Sequence, residues 1–146
     1  MMRIDRTVET TASTSGVFGF LADFTNTEHW DPGTVRTVRV SGDGGVGTAY
    51  ANTSRFLGRT TELTYVVEAY EPDIRVMLRG ENKTVVARDT MTFESTAAGG
   101  TSVRYLAEFK MKGLSRLAAP LLAPAFRRLG DAASHQMRVT LDRLGR

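Results

Sequence analysis

The chain of 146 residues contains no cysteine. That excludes disulfides, Cys-type zinc sites and thiol catalysis. Its two histidines, His29 and His135, lie far apart. No His, Asp and Glu residues cluster at metal-ligand spacing, so neither a metal nor another cofactor is expected. Ser134 and His135 are neighbours on a helical pattern and point in different directions; with no nucleophile elbow, serine hydrolysis is disfavoured. No apolar run approaches the ~18 residues of a membrane span, so none is expected. The segment Met1-Met2-Arg3-Ile4-Asp5-Arg6 passes straight into an alternating pattern without the apolar core of a signal peptide. A cytoplasmic location is the default expectation.

What the chain does have is alternation. Its apolar fraction of 41% and charged fraction of 24% are ordinary for a globular protein, and no repeat or linker divides it, so residues 1–146 read as one domain. Ile4 and Val8, joined by Arg6 and Thr10, share one face of a strand over residues 2–10. Ser13 is placed to cap a short helix carrying Val17, Phe18, Leu21 and Phe24, and Asn26 to Trp30 add a further turn before Asp31-Pro32-Gly33 ends it. From Thr34 the period becomes two. Val35, Val38 and Val40 suggest a second strand, followed by strands near 48–57, 59–70, 74–80, 84–95 and 101–111. Gly58, Glu71-Pro72-Asp73, Glu81-Asn82-Lys83 and Ala97-Ala98-Gly99-Gly100 separate the later strands with turn chemistry, which implies an antiparallel meander.

One face of this meander is dry. It holds Leu63, Tyr65, Val67 and Ala69; Ile74, Val76 and Leu78; Val85, Ala87, Asp89, Met91 and Phe93; and Val103, Tyr105, Ala107, Phe109 and Met111. The other face carries charge. A dry face needs a cover, and the C-terminal stripe of Leu117, Leu121, Ala125, Leu129, Ala133, Met137 and Leu144 supplies a helical one. Pro120 and Pro124 set its expected start near Pro124. The fold class is therefore α+β: a curved antiparallel sheet of about seven strands around a long C-terminal helix, with two short helices after the first strand.

Two patterns invite functional readings. Gly42-Asp43-Gly44-Gly45-Val46-Gly47 spells GxGxxG, yet the alternating Thr48-Ala49-Tyr50-Ala51-Asn52-Thr53 follows it where a dinucleotide site needs a helix, so it reads as a hairpin turn. Asp89 interrupts an apolar face, where a carboxylate must be paired, hydrogen-bonded or protonated. Arg6 is its expected partner, with Tyr50, Asn52, Tyr65 and Tyr105 adding polar groups to the same wall. His29 is the natural proton-transfer group if it points inward. The residues from Ser115 onward include six arginines (116, 127, 128, 138, 143, 146) against Asp131 and Asp142, a basic helix that suits an acidic partner or an anionic membrane surface. Nucleic acid is not expected, because these arginines are not interleaved with exposed aromatics. A homodimer is compatible with the sequence.

The helix-grip order of these elements resembles the SRPBCC, or START/birch-allergen, superfamily, in its polyketide cyclase/dehydrase-like branch. The residues that carry the resemblance are Ala12-Ser13 before Val17-Phe18-Gly19-Phe20-Leu21-Ala22-Asp23, then His29-Trp30-Asp31-Pro32. Gly47-Thr48, Val67-Glu68-Ala69-Tyr70-Glu71-Pro72, and Gly100-Thr101-Ser102-Val103 after Phe93-Glu94 extend it over nearly the whole chain. The resemblance implies a pocket between sheet and helix that binds a small hydrophobic molecule such as a lipid, polyketide or isoprenoid. Trp30 resembles the family's tryptophan near that pocket. Tyr50, Asn52, Tyr65, Val67, Val76 and Leu78 would line it from the middle of the sheet. Asp89, Met91, Tyr105 and Phe109 would do so from the last strands, and Leu129 and Met137 from the helix. The alternatives are a cyclase/aromatase-type enzyme using Asp89, His29, Tyr65 or Tyr105 for proton transfer, and a partner- or membrane-peripheral module acting through the basic helix.

Overall fold

The computed structural model describes residues 1–145; Arg146, one of the six arginines of the basic segment, lies outside the described residues. Strand β1 (Met2–Thr10) leads into α1 (Thr14–Ala22), a 3-10 turn (Phe24–Asn26) and α2 (Thr27–Trp30). Strands β2 (Thr34–Ser41), β3 (Ala49–Phe56), β4 (Arg59–Glu71), β5 (Arg75–Glu81), β6 (Val85–Ser95) and β7 (Thr101–Met111) follow. A second 3-10 segment (Gly113–Ala118) then enters α3 (Ala119–Leu144). The seven strands form one antiparallel sheet in the order β1-β7-β6-β5-β4-β3-β2. Each of β2 to β7 pairs with its sequence neighbour, and β1 closes the far edge against β7, as short connections require.

The helical ends follow local chemistry. The Ser13 hydroxyl accepts the Gly16 N–H at 3.3 Å and caps α1. Asp23 caps the 3-10 turn, its carboxylate accepting both the N–H and the hydroxyl of Thr25. Helix α3 starts at Ala119, a turn before the expected start at Pro124. Pro120 sits in the first turn, where its missing N–H is an unpaired position anyway, and Pro124 removes one donor only.

Two sequence expectations are corrected in the fold, and the second strand, present as expected, has an inner face of its own. Ile74 is 61% exposed in the β4–β5 turn instead of facing inward. A bulge in β4 between Val67 and Ala69, with Asp73 in the left-handed region at φ 65°, turns the chain before the inward alternation resumes at Val76. The apolar stripe of α3 is buried only from Gly130 through Ala133, Met137 and Leu141, whereas Leu117 and Leu121 stand in solvent. In β2 it is Thr37 that faces inward, because two bulges break the strand's register and leave Val35, Val38 and Val40 outside.

The GxGxxG segment is a loop before β3. Gly42 has φ 90°, and a Cβ there would lie 2.6 Å from the Thr48 Cα, so only glycine fits. Thr48 is fully buried and its hydroxyl accepts the Gly44 N–H at 2.8 Å. No helix begins there, and the dinucleotide reading has no support.

The core divides into a packed half and a hollow half. Helix α1 covers the packed half: Phe18 meets Phe93 at 5.1 Å and Tyr70 at 5.3 Å, both edge-on. Beneath lie Val8, Leu21, Val67, Val76, Leu78, Met91, Val103, Met137 and Leu141. Each such side chain contributes roughly 1.5–3 kcal/mol by leaving water. Helix α3 approaches β1 closely at Gly130, where a Cβ would stand 2.7 Å from the Ile4 Cγ2. Nothing equivalent to α1 covers the other half.

Candidate functional site

The hollow half encloses a cavity of about 180 Å³. Its inner end is walled by Phe24, Trp30, Tyr65, Asp89 and Tyr105, all buried, and its outer end by Arg55, Thr61 and Thr84, all exposed, with Phe56 and Met111 half-buried. The mouth therefore lies among the β3–β4 hairpin, the β5–β6 turn and the first turns of α3. Phe126 of α3 bridges it, with its ring 4.6 Å from Phe56 and 4.9 Å from Phe109. The wall is mostly apolar, and its polar groups gather at the inner end.

Strand pairing brings those groups together. Asp89 and Tyr105 lie on adjacent antiparallel strands, with Met91 opposite Tyr105 and Asp89 opposite Ala107. This offset of two residues lets the Tyr105 hydroxyl donate to Asp89 Oδ2 at 3.2 Å. Tyr65 lies opposite Gly80 on β5. A Cβ at Gly80 would stand 2.6–2.8 Å from three atoms of the Tyr65 ring, so the glycine makes room for that ring against the strand. Phe24 supports it from the other side at 4.8 Å, and Trp30 stands edge-on to Tyr105 at 5.4 Å.

Asp89 is 4% exposed and has no cationic partner among the described residues. Burial raises its carboxyl from 3.8 to about 7; the negative charge of Asp31 adds to the rise, and the Tyr105 hydrogen bond opposes it. Burial likewise drives the phenols of Tyr65 and Tyr105 well above their ordinary value, with the Asp89 charge next in importance. Two buried side-chain atoms have no hydrogen-bond partner among the described residues: Asp89 Oδ1, an acceptor, and Trp30 Nε1, a donor. Both belong to cavity-wall residues. Such orphans are uncommon in native folds and each calls for a reason.

Asp31 is the residue that sequence reading missed. It ends α2, and its carboxylate accepts the Gly33 N–H and the Thr34 hydroxyl, each at 3.0 Å. It also lines the cavity, and burial raises its own carboxyl against the pull of those two bonds. The signal was present in Trp30-Asp31-Pro32-Gly33, where the Asp read as part of a helix stop and of the family-like run His29-Trp30-Asp31-Pro32, and not as a cavity residue.

Of the residues expected to contact ligand, Trp30, Asn52, Tyr65, Asp89, Tyr105, Phe109 and Leu129 lie on the cavity wall. The Asn52 amide is already engaged, donating to Thr37 Oγ1 at 2.9 Å and accepting from the Ser54 hydroxyl at 2.7 Å. Val67, Val76, Leu78, Met91 and Met137 sit instead in the packed half, which α1 and the end of α3 fill. Tyr50 is also buried there beside Phe24, with ring centroids 5.9 Å apart. His29 is exposed on α2, its ring near Phe20 at 6.3 Å and its carbonyl accepting from the Thr140 hydroxyl at 3.1 Å. It does not reach the cavity. Arg6 does not reach Asp89 either; it leaves the sheet's inner face between β1 and α3 to pair with Asp131 at 2.9 Å. Among the described residues no group of His, Asp and Glu is arranged to hold a metal ion.

Comparison with known proteins places this architecture. The family described as polyketide cyclase / dehydrase and lipid transport matches residues 1–144. No curated protein sequence matches the chain significantly. Among solved structures, the Zhui aromatase/cyclase from Streptomyces sp. R1128 superposes with a TM-score of 0.84 at 15% identity, over 99% of this chain and 95% of that one. A START superfamily protein from Mycobacterium smegmatis gives 0.82 at 11% identity, over 99% of both chains. Ara h 8.0201 gives 0.61 at 15% identity, over 92% of this chain and 96% of that one. At these identities the structural likeness establishes the fold.

Proposed function

The chain belongs to the polyketide cyclase / dehydrase and lipid transport family, and we propose that it is a binding protein for a small, largely apolar molecule with one polar end. The observation that carries this reading is the hollow half of the core, with its orphan donor and acceptor at the closed end. A cavity of about 180 Å³ is slightly larger than the ~150 Å³ void that accommodates benzene. One or two rings fill it, and a longer ligand extends through the mouth past Phe56 and Phe126. A hydroxyl on the buried end would donate to Asp89 Oδ1, and a carbonyl would accept from Trp30 Nε1. Burial of the apolar body drives affinity, and these groups set orientation.

Trp30 is the sole tryptophan, so its fluorescence reports occupancy directly. Titration with 2-naphthol and with naphthalene is the test. Both should perturb the Trp30 emission, with naphthol binding about tenfold more tightly for one added hydrogen bond. In Asp89→Leu that preference should vanish. Absence of any response to either compound rules out the binding reading.

A second reading, a cyclase or dehydrase, is favoured by one observation: a buried carboxyl that titrates near 7 and is hydrogen-bonded to a phenol. Such a group serves as base and as acid at neutral pH. As carboxylate it takes a proton from the carbon beside a ligand carbonyl. Then, as the acid, it returns that proton to a departing β-hydroxyl, which leaves as water while the carbon–carbon double bond forms. Asp89→Asn should abolish dehydration of a bound β-hydroxyketone while sparing its binding; undiminished turnover in that variant removes Asp89 from the chemistry.

A further inference from the structure

Four leucines project from the end of the molecule that holds the cavity mouth. Leu57 is 65% exposed on the β3–β4 hairpin, where Arg59 follows it, and Leu114, Leu117 and Leu121 are 87%, 77% and 84% exposed on the 3-10 segment and first turn of α3. Leu57 and Leu121 flank one patch, and Leu114 and Leu117 lie on the segment that runs into it. Leu57 lies with Ala125 and Arg128 around a shared surface hollow, and Leu121 is one helical turn before Ala125. Leu117 precedes it on the 3-10 segment that leads into α3.

The charge at this end has one dominant sign. Arg55, Arg59, Lys83, Arg116, Arg127 and Arg128 stand around the patch, and none pairs with a carboxylate among the described residues. Of the nearby acids, Glu81 is neutralised by Arg79 and Lys112, which leaves Glu62. On the outer face of the sheet Arg3, Arg75, Arg88 and Arg104 are each matched by a carboxylate, while among the described residues Arg36, Arg39 and Lys110, and Arg138 and Arg143 on α3, are not, so the mouth is set apart by cations standing next to exposed leucines.

We propose that this end docks on an anionic phospholipid bilayer, with the leucines entering the headgroup layer and the unpaired arginines and lysine engaging lipid phosphates. Leu114, Leu117 and Leu121, 77–87% exposed, protrude from the surface, and Leu57 stands beside a shallow hollow next to them. Protruding apolar groups suit a deformable lipid interface better than a rigid acidic protein surface, and the ring of cations supplies the complementary charge. Docked in this way, the cavity mouth faces the bilayer. The inference does not depend on which molecule the cavity holds.

Flotation with phosphatidylcholine vesicles, with and without phosphatidylglycerol, tests it. The protein should float with the anionic vesicles only, and high salt should release it. The double variant L117Q/L121Q should lose at least about tenfold in partitioning, since apolar burial makes up much of the affinity. Its thermal unfolding and its Trp30 response to naphthol should be unchanged, because neither leucine touches the cavity. R127Q/R128Q should also weaken binding, whereas R138Q, further along α3, should not. Three results would overturn the proposal. The first is wild-type protein that does not float with anionic vesicles. The second is equal flotation of L117Q/L121Q. The third is a lipid-free homodimer that L117Q/L121Q dissociates, which would assign the leucines to a second copy of the chain.

Discussion

Tyr105 donates its hydroxyl to one oxygen of Asp89, at 3.2 Å, and leaves the other oxygen buried without a partner. The pair sits at the closed end of an otherwise greasy cavity, with no cation paired to it among the described residues. The protein thus carries an internal carboxyl whose charge is set by burial and by two neighbours of opposite influence, and its pH behaviour follows from that arrangement.

The contribution of Asp89 to stability should fall as pH rises from about 4 to about 7. The folded-state carboxyl titrates near 7 instead of 3.8, so between those values the folded chain holds a proton that the unfolded chain has lost. Stability contributed by the protonated form is complete below about pH 4 and is lost as pH rises to about 7. The shift corresponds to at most about 4 kcal/mol. Asp89→Asn removes the titration. It should be more stable than wild type by about 2–4 kcal/mol at pH 8, a difference that shrinks towards zero near pH 4. Denaturant unfolding at the two pH values checks this; a difference independent of pH would show that Asp89 titrates normally.

The two neighbours should move Asp89 in opposite directions. Tyr105→Phe deletes the hydrogen bond that favours the carboxylate and should raise its titration above 7. Asp31→Asn deletes the adjacent negative charge and should lower it. Carbon-detected NMR of the Asp89 carboxyl across pH measures both. Shifts of the same sign in the two variants would contradict the geometry.

How far this site was legible depended on what fixes each residue. Asp89, Tyr65 and Tyr105 were visible because alternation along a strand assigns a face, and a carboxylate among Val85, Ala87, Met91 and Phe93 breaks an apolar one. The strand order follows similarly from turn residues between β-periodic runs. The boundary between hollow and packed core was not legible. Val76 and Leu78 share the face of Asp89, and only the tertiary position of α1 decides that they are packed over. Arg6 faces inward as its period requires, yet its length carries it out to Asp131. Bulges hid Thr37 and displaced Ile74, since an extra residue moves every later side chain in a strand to the other face.

Filling the void should separate stability from binding. Ala133 is 4% exposed and lines the cavity from α3. Ala133→Leu places three more carbons into empty space, so the usual penalty for overpacking is avoided and about 1 kcal/mol of stabilisation is expected. The same carbons occupy the ligand's volume, and naphthol affinity should drop at least about tenfold. Destabilisation together with unchanged affinity would mean that the side chain finds no void there.

Gly80 and Tyr65 should behave as a single unit. The absent Cβ of Gly80 is where the Tyr65 ring lies, with would-be contacts of 2.6–2.8 Å to three ring atoms, closer than atoms tolerate. The ring itself is pinned by Phe24 at 4.8 Å, so Gly80→Ala cannot be absorbed by a small rotation and should cost about 1–3 kcal/mol. Because Tyr65 is also cavity wall, the displaced ring should alter the Trp30-reported affinity for naphthol. In a Tyr65→Ala background the clash has no partner. There Gly80→Ala should be neutral or slightly stabilising, since alanine suits a strand better than glycine. A double-mutant cycle by denaturant unfolding should therefore give a coupling of about 1–3 kcal/mol. Additive effects would show that Gly80 is fixed by something other than the ring it faces.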